Sequence, residues 1–157
     1  MRSQRGISLL EATVCMAILA LLVGRVIPFT QQWHADHLLN TQMRDVQGLM
    51  QQAQMASLDH GRPWTLCGSD DGLRCDGQWQ HLLVMDADGH VRHRIKRHDT
   101  VTLRWQGLSQ ALVFHPRLSS SILNGTFHLC HGQRTQRLIV NRLGRTRRET
   151  ADTNGDC

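Results

Sequence analysis

The stretch Arg5–Arg25, RGISLLEATVCMAILALLVGR, decides how the rest of the chain is read. Ile7–Gly24 is apolar except for Glu11 and a few small polar residues, and basic residues flank the run on both sides. Eighteen residues, or about 23 if the helix continues to Phe29, are enough to span a bilayer. No Ala-x-Ala-like cleavage site follows, so the run is not a typical secretory signal. Pro28 kinks such a helix rather than ending it, because the periodic pattern resumes beyond it. The anomaly is Glu11, since a carboxylate in hydrocarbon costs roughly 2.5–3.5 kcal/mol even on lenient insertion scales. Something must offset that cost.

Beyond the run, Leu38, Leu39, Met43, Val46, Leu49, Met50, Ala53, Ala56 and Ser57 recur at helical spacing between Asp36 and His60. Gly61 is placed to cap this helix and Pro63 to stop it. After Pro63 the pattern changes to short apolar or alternating runs at 64–67, 78–86, 90–98, 100–106, 111–115, 125–130 and 136–141. Turn signals such as Asp88-Gly89, Gly107, Asn124-Gly125 and Gly144 separate them, and MDADGHV (85–91) has the form of a hairpin turn. With no helices between the strands, the spacing predicts antiparallel sheets, hence an α+β chain with one long N-terminal helix. The segment 115–125, HPRLSSSILNG, is expected to be a mobile loop.

The chain has five cysteines. Cys15 lies in the apolar run, as a small filler. The other four follow that run, where an oxidising compartment favours pairing. Cys67 is paired here with Cys75 across a short Gly/Asp loop, and Cys130 with Cys157, although two other pairings are possible. Zinc ligation by Cys67, Cys75 and HLCH (128–131) lacks a CxxC pair and regular histidine spacing. The segment DTNGD (152–156) alternates like the start of a calcium loop but lacks the later glycine and glutamate. No metal or cofactor is expected. Ser119–Ser121 have no nucleophile elbow around them, no Gly-rich phosphate loop is present, and an enzyme is not expected.

Charge is distributed unevenly. Residues 1–88 carry six basic and nine acidic side chains, a net of −3, whereas residues 89–157 carry twelve and four, a net of +8. Seventeen of the eighteen basic residues are arginine, so planar, bidentate donors dominate. They concentrate in RTQRLIVNRLGRTRRE (134–149), where six arginines precede the first acid. A turn at Asn141–Gly144 would gather Arg142, Arg145, Arg147 and Arg148. If the chain is extended after Gly144, Arg145 and Arg147 share one face and Arg148 takes the other. Guanidinium forks suit phosphates, and a solvated basic face is the alternative reading.

Three features together carry a family resemblance. The basic leader ending in Gly6, the apolar Ile7 and Glu11 five residues beyond Gly6 resemble the class III signal of type IV pilins and pseudopilins. The usual first mature residue there is Phe, so Ile7 is a conservative departure. CGSDDGLRC (67–75), FHLC (127–130) and GRTRR (144–148) extend the resemblance to the GspH/FimT group of minor pilins over nearly the whole chain. The resemblance implies a pilin-like fold: leader 1–6, membrane and assembly half of the helix 7–29, periplasmic half 30–61, and a β domain 62–157 ending in the arginine arm. It implies cleavage between Gly6 and Ile7 by prepilin peptidase and N-methylation of Ile7. The chain would sit in the inner membrane as a single-pass precursor, its C-terminal domain in the periplasm, and then join other major and minor pilins in a pilus.

Glu11 then has a partner. The new amine at Ile7 lies about 6 Å along the helix from Glu11, and in a filament it would approach Glu11 of a neighbouring subunit. Opposite charges about 4 Å apart at an effective dielectric near 20 attract by roughly 4 kcal/mol, before desolvation reduces the gain. In the FimT branch, a C-terminal Gly-Arg-x-Arg element is associated with DNA binding during natural transformation. Gly144, Arg145, Thr146 and Arg147 match it, and Arg148 extends it. The resemblance thus implies double-stranded DNA as a partner, held by phosphate contacts with little sequence reading. Arg142, Arg137, Lys96, Arg94 and Arg97 are candidates to widen the patch. Two other roles fit the same anchor: a structural minor pilin priming pilus assembly, and a type II secretion pseudopilin.

Overall fold

The leading apolar run and the amphipathic stretch behind it form one helix, α1 (Leu9–His60), in a computed structural model of the chain. The structure describes residues 9–117 and 120–151, without the side chains of 23–32 and 151. The expected cleavage and methylation positions, Gly6 and Ile7, lie outside the described residues, as does Cys157.

The chain divides into two compact units, Met1–Ala35 and Asp36–Cys157. In the first, Glu11 sits in the first turn of α1. Leu9, Leu10, Val14, Met16, Ile18, Leu19, Leu21 and Leu22 are all at least half exposed. Their positions wind around the helix rather than forming one stripe, the pattern of a helix that needs an apolar environment on every side. No helix among the described residues is long and apolar enough to cross a membrane. The expected span, 7–29, includes 23–29, whose side chains are not described.

In the second unit, α1 buries Leu39, Met43, Val46, Leu49, Met50 and Ala53, with Leu38 and Ala56 packed against them. These positions recur every three or four residues, as the sequence pattern requires. The helix ends at His60, and Gly61 takes the left-handed conformation (φ 63°) that terminates it.

Eight strands follow: β1 (Trp64–Ser69), β2 (His81–Met85), β3 (Val91–Lys96), β4 (Thr102–Gly107), β5 (Ala111–Phe114), β6 (Gly125–His131), β7 (Arg134–Val140) and β8 (Thr146–Ala151). They form two four-stranded sheets, ordered β3-β2-β1-β5 and β4-β6-β7-β8, with every pairing antiparallel. The inner faces of both sheets and the apolar stripe of α1 share one core. At its centre Phe127, fully buried, meets Trp79 edge-on at 5.1 Å and Trp105 at 4.5 Å. Three of the four tryptophans therefore serve packing; the fourth, Trp33, is exposed.

The hairpin expected at 85–91 is present. Asp86 N donates to His90 O, Gly89 N donates to Asp86 O, and the Asp86 carboxylate accepts from the backbone of Asp88 and His90. The disulfide Cys67–Cys75 closes the Gly/Asp loop after β1. Residues 115–124 connect β5 to β6; Ser121 is buried and accepts from His115 N, while residues 118 and 119 lie outside the described residues. Gln42 was not legible as a core residue. Its side chain is buried and accepts a hydrogen bond from His98 N at 2.9 Å, tying α1 to the link between β3 and β4.

Candidate nucleic-acid interface

β7 and β8 form a hairpin whose turn is held by one side chain. Asn141 Oδ1 accepts from Leu143 N at 3.0 Å and Arg145 N at 2.9 Å, while Asn141 N donates to Arg145 O and Gly144 N to Asn141 O, both at 3.0 Å. Asn and Asp favour such turns because their short side chains reach the backbone two residues on. Gly144 completes the reversal with φ 80°, a conformation open to glycine and strained for other residues.

The turn presents Arg142 and Arg145 to solvent, and β8 carries Arg147 and Arg148 beyond it. Neither Arg142 nor Arg145 has an ion-pair partner among the described residues. Alternation along β8 separates the next two. Thr146 and Arg148 face α1, where Gln47 Nε2 donates to Thr146 Oγ1 at 2.8 Å and Gln47 Oε1 accepts from Arg148 Nε at 3.1 Å and from its Nη2. Arg147 faces the other way and pairs with Glu149 at 2.5 Å. Arg147 and Arg148 thus lie on opposite faces of the strand, as the alternation predicts. The contacts of Gln47 with this arm were not legible, because nothing local marks a helix residue whose partner lies about a hundred positions away. Glu149, two residues from Arg147 and so on the same strand face, was missed although alternation alone places the two together.

The register extends the outer face across the whole second sheet. Arg104, His128, Arg137 and Glu149 stand opposite one another on β4, β6, β7 and β8. His128 is buried, and its pKa is lowered by that burial and by the neighbouring Arg137 and Arg104. Its Nδ1 has no partner among the described residues. Arg137 is half-buried in this row, opposite Glu149 on β8, so it adjoins the arm without belonging to the turn.

Lys96, Arg94 and Arg97 do not join the patch. Lys96 lies at the end of β3, an edge strand of the other sheet, and is paired with Asp99 at 2.9 Å. Arg94 donates to Gly72 O at 3.2 Å, and Arg97 to Gln80 Oε1 at 2.5 Å. Strand order, which composition does not reveal, removes them. Arg134, at the start of β7, approaches Asp36 at 3.9 Å.

Cys130 lies on the outer face of β6, with its Sγ 3.6 Å from Thr135 Oγ1. Its expected partner, Cys157, is among the residues not described. Cys15 is a free thiol.

One grouping of potential metal ligands occurs among the described residues: Asp86, Asp88 and His90. Arg62 holds Asp88 through two hydrogen bonds of 2.9 and 2.7 Å, and Arg92 holds Asp86 at 2.7 Å. The pKa of Asp86 is lowered to about 2, first by the backbone N–H of His90 and, after opposing burial, by Arg92 and the N–H of Asp88. These carboxylates already have their cations.

The family model for type II transport protein GspH matches residues 42–144, and the prokaryotic N-terminal methylation motif matches residues 1–24. Two crystal forms of the type IV minor pilin FimU from Pseudomonas aeruginosa have a similar fold. The P65 form is 17% identical with a TM-score of 0.54, over 73% of this chain and 98% of that one. The P21 form is 18% identical with a TM-score of 0.55, over 80% and 98% respectively. No curated protein sequence matches the chain. A long helix packed on two antiparallel sheets, an N-terminal methylation motif and a family match over most of the globular unit lead to one conclusion: the chain belongs to the GspH family of pilin-like proteins.

Proposed function

We propose that this chain is a minor pilin that captures double-stranded DNA on its C-terminal arginine arm, for uptake in natural transformation. The observation that carries the reading is the hairpin turn clamped by Asn141, which fixes the backbone beneath Arg142 and Arg145 and leaves both guanidinium groups in solvent. An arm already ordered loses less freedom on binding than a loose one. Arg147 adds a third donor at the outer face, while Arg148, braced against Gln47, sits on the helix side. Recognition by these groups is recognition of phosphates, so little sequence preference is expected.

The methylation motif supports processing between Gly6 and Ile7 and N-methylation of Ile7. The all-round apolar surface of α1 from Leu9 to Leu22 supports residence first in the inner membrane, as a single-pass precursor, and then among other pilins in a filament. In that setting Glu11 of one subunit would meet the Ile7 amine of the next.

The family description favours a second reading, a type II secretion pseudopilin without DNA. The variant Arg145→Gln/Arg147→Gln separates the two. In a mobility shift with the full chain in nonionic detergent, the parent should retard a duplex and the variant should not, with the disulfide Cys67–Cys75 intact in both. Equal retardation would move the site elsewhere, and no retardation by either would favour the secretion reading.

A further inference from the structure

Behind the arginine turn lies a cleft of about 390 Å³ between α1 and the start of β8, lined by Gln47, Gln51, Gln54 and Met50 on the helix and by Gly144 and Arg145 on the turn. We propose that this cleft seats one nucleotide of a DNA backbone, Gln51 and Gln54 donating uncharged hydrogen bonds to the phosphate that Arg145 holds by charge. The proposal rests on the DNA reading above and adds a second wall to the grip.

Three observations carry it. No carboxylate lines the cleft, so an anion entering it meets no opposing charge. The contrast is a larger cavity of about 470 Å³ at the C-terminal end of α1, beside His60. There Arg62 and Arg92 are already neutralised by Asp88 and Asp86, and an anion would have to displace a bonded carboxylate.

Gln47, Gln51 and Gln54 are spaced i, i+4 and i+7, so they share a helix face. Gln47 is committed to Thr146 and Arg148 and fixes the cleft's width, leaving Gln51 and Gln54 for a ligand. Their Cα positions are about 4.5 Å apart along the axis, against about 3.4 Å per nucleotide along one DNA strand, so both amides can address a single nucleotide step. Glutamine is among the side chains that commonly donate to phosphates.

Gly144 gives the third. A Cβ there would come within 3.2 Å of Leu123 Cδ1 and 3.7 Å of Gln54 Oε1, narrowing the cleft beside Arg145. The glycine that permits the turn also keeps this wall open.

Neutral donors and cations are distinguishable, because only a cation neutralising a phosphate releases counterions and steepens the salt dependence. The test titrates a fluorescent 30-base-pair duplex of random sequence with the full chain in nonionic detergent, from 50 to 200 mM NaCl. Gln51→Ala/Gln54→Ala should weaken binding roughly tenfold at every salt concentration with an unchanged slope of log affinity against log salt. Arg145→Gln should reduce that slope by about 0.9. Gln51→Glu, nearly the same shape on an exposed helix face, should weaken binding further by repulsion. Parental affinity in the glutamine variants overturns the cleft; a parental slope in Arg145→Gln as well overturns the DNA reading beneath it. A reduced slope in Gln51→Ala/Gln54→Ala also contradicts the proposal, since it would mean that the substitutions disturbed the arginines.

Discussion

Arg147 and Glu149 project from the same face of β8 and are joined by an ion pair of 2.5 Å, with the arginine side chain 73% exposed. The first acid after six arginines therefore sits on one of the residues expected to hold DNA. A phosphate must compete with this carboxylate. An exposed pair of this kind contributes up to about 1 kcal/mol. Glu149→Gln should accordingly strengthen duplex binding by up to about fivefold at low salt, an effect fading as salt rises. Fluorescence anisotropy measures it; weaker binding would show that Glu149 orients Arg147 rather than competing for it.

Asn141 holds the turn through two backbone N–H groups. Asn141→Ala removes both bonds and should lower stability by about 1–2 kcal/mol in urea unfolding. DNA affinity should fall too, because Arg142 and Arg145 would then lose backbone freedom on binding. The slope against salt should not change, since no cation is lost. An unaltered urea midpoint would mean that the strand register alone shapes the turn.

The row Arg104–His128–Arg137 predicts a pH dependence. Burial and the two arginines lower the pKa of His128, so the folded state favours the neutral ring. The unfolded chain therefore binds the proton more readily, and this contribution to stability is present above the unfolded value near 6.5 and lost as pH falls below it. Asp86 acts at lower pH with the same sign. Its contribution is present above the ordinary carboxylate value, about 3.9, and is lost as pH falls through about 2. Denaturation at pH 7, 6 and 5 should show stability declining in the parent and declining less in His128→Leu. Parallel curves would assign the decline to other groups.

The disulfide Cys67–Cys75 closes a short loop after β1. Chain-entropy arithmetic assigns it about 2.5 kcal/mol. Cys67→Ser/Cys75→Ser should lower the unfolding free energy by about that amount and leave DNA affinity unchanged, because the loop belongs to the other sheet. Loss of DNA binding in a variant that still unfolds cooperatively would couple that loop to the arm.

Local patterns carried most of the fold. The helical stripe from Leu39 to Ala53, the glycine ending α1 and the 85–91 hairpin are each written in neighbouring residues, and each is where spacing and turn chemistry placed it. What local pattern does not encode is which strand lies beside which. Lys96 looked close to the arginine arm because both are basic, yet it stands on an edge of the opposite sheet, bound to Asp99. Alternation sets Arg148 on the face opposite Arg147, but it does not disclose that this face lies against Gln47 of α1. The arm's arginines were legible as a set, whereas their division between solvent, an acid and an amide depends on the register of β7 with β8.

The salt dependence of duplex binding by the full chain tests the central claim most directly. With about four phosphates neutralised, affinity should fall roughly a hundredfold between 50 and 200 mM salt. An affinity that stays level across that range, or binding that is never seen at 50 mM, would contradict an electrostatic grip by the arginine arm.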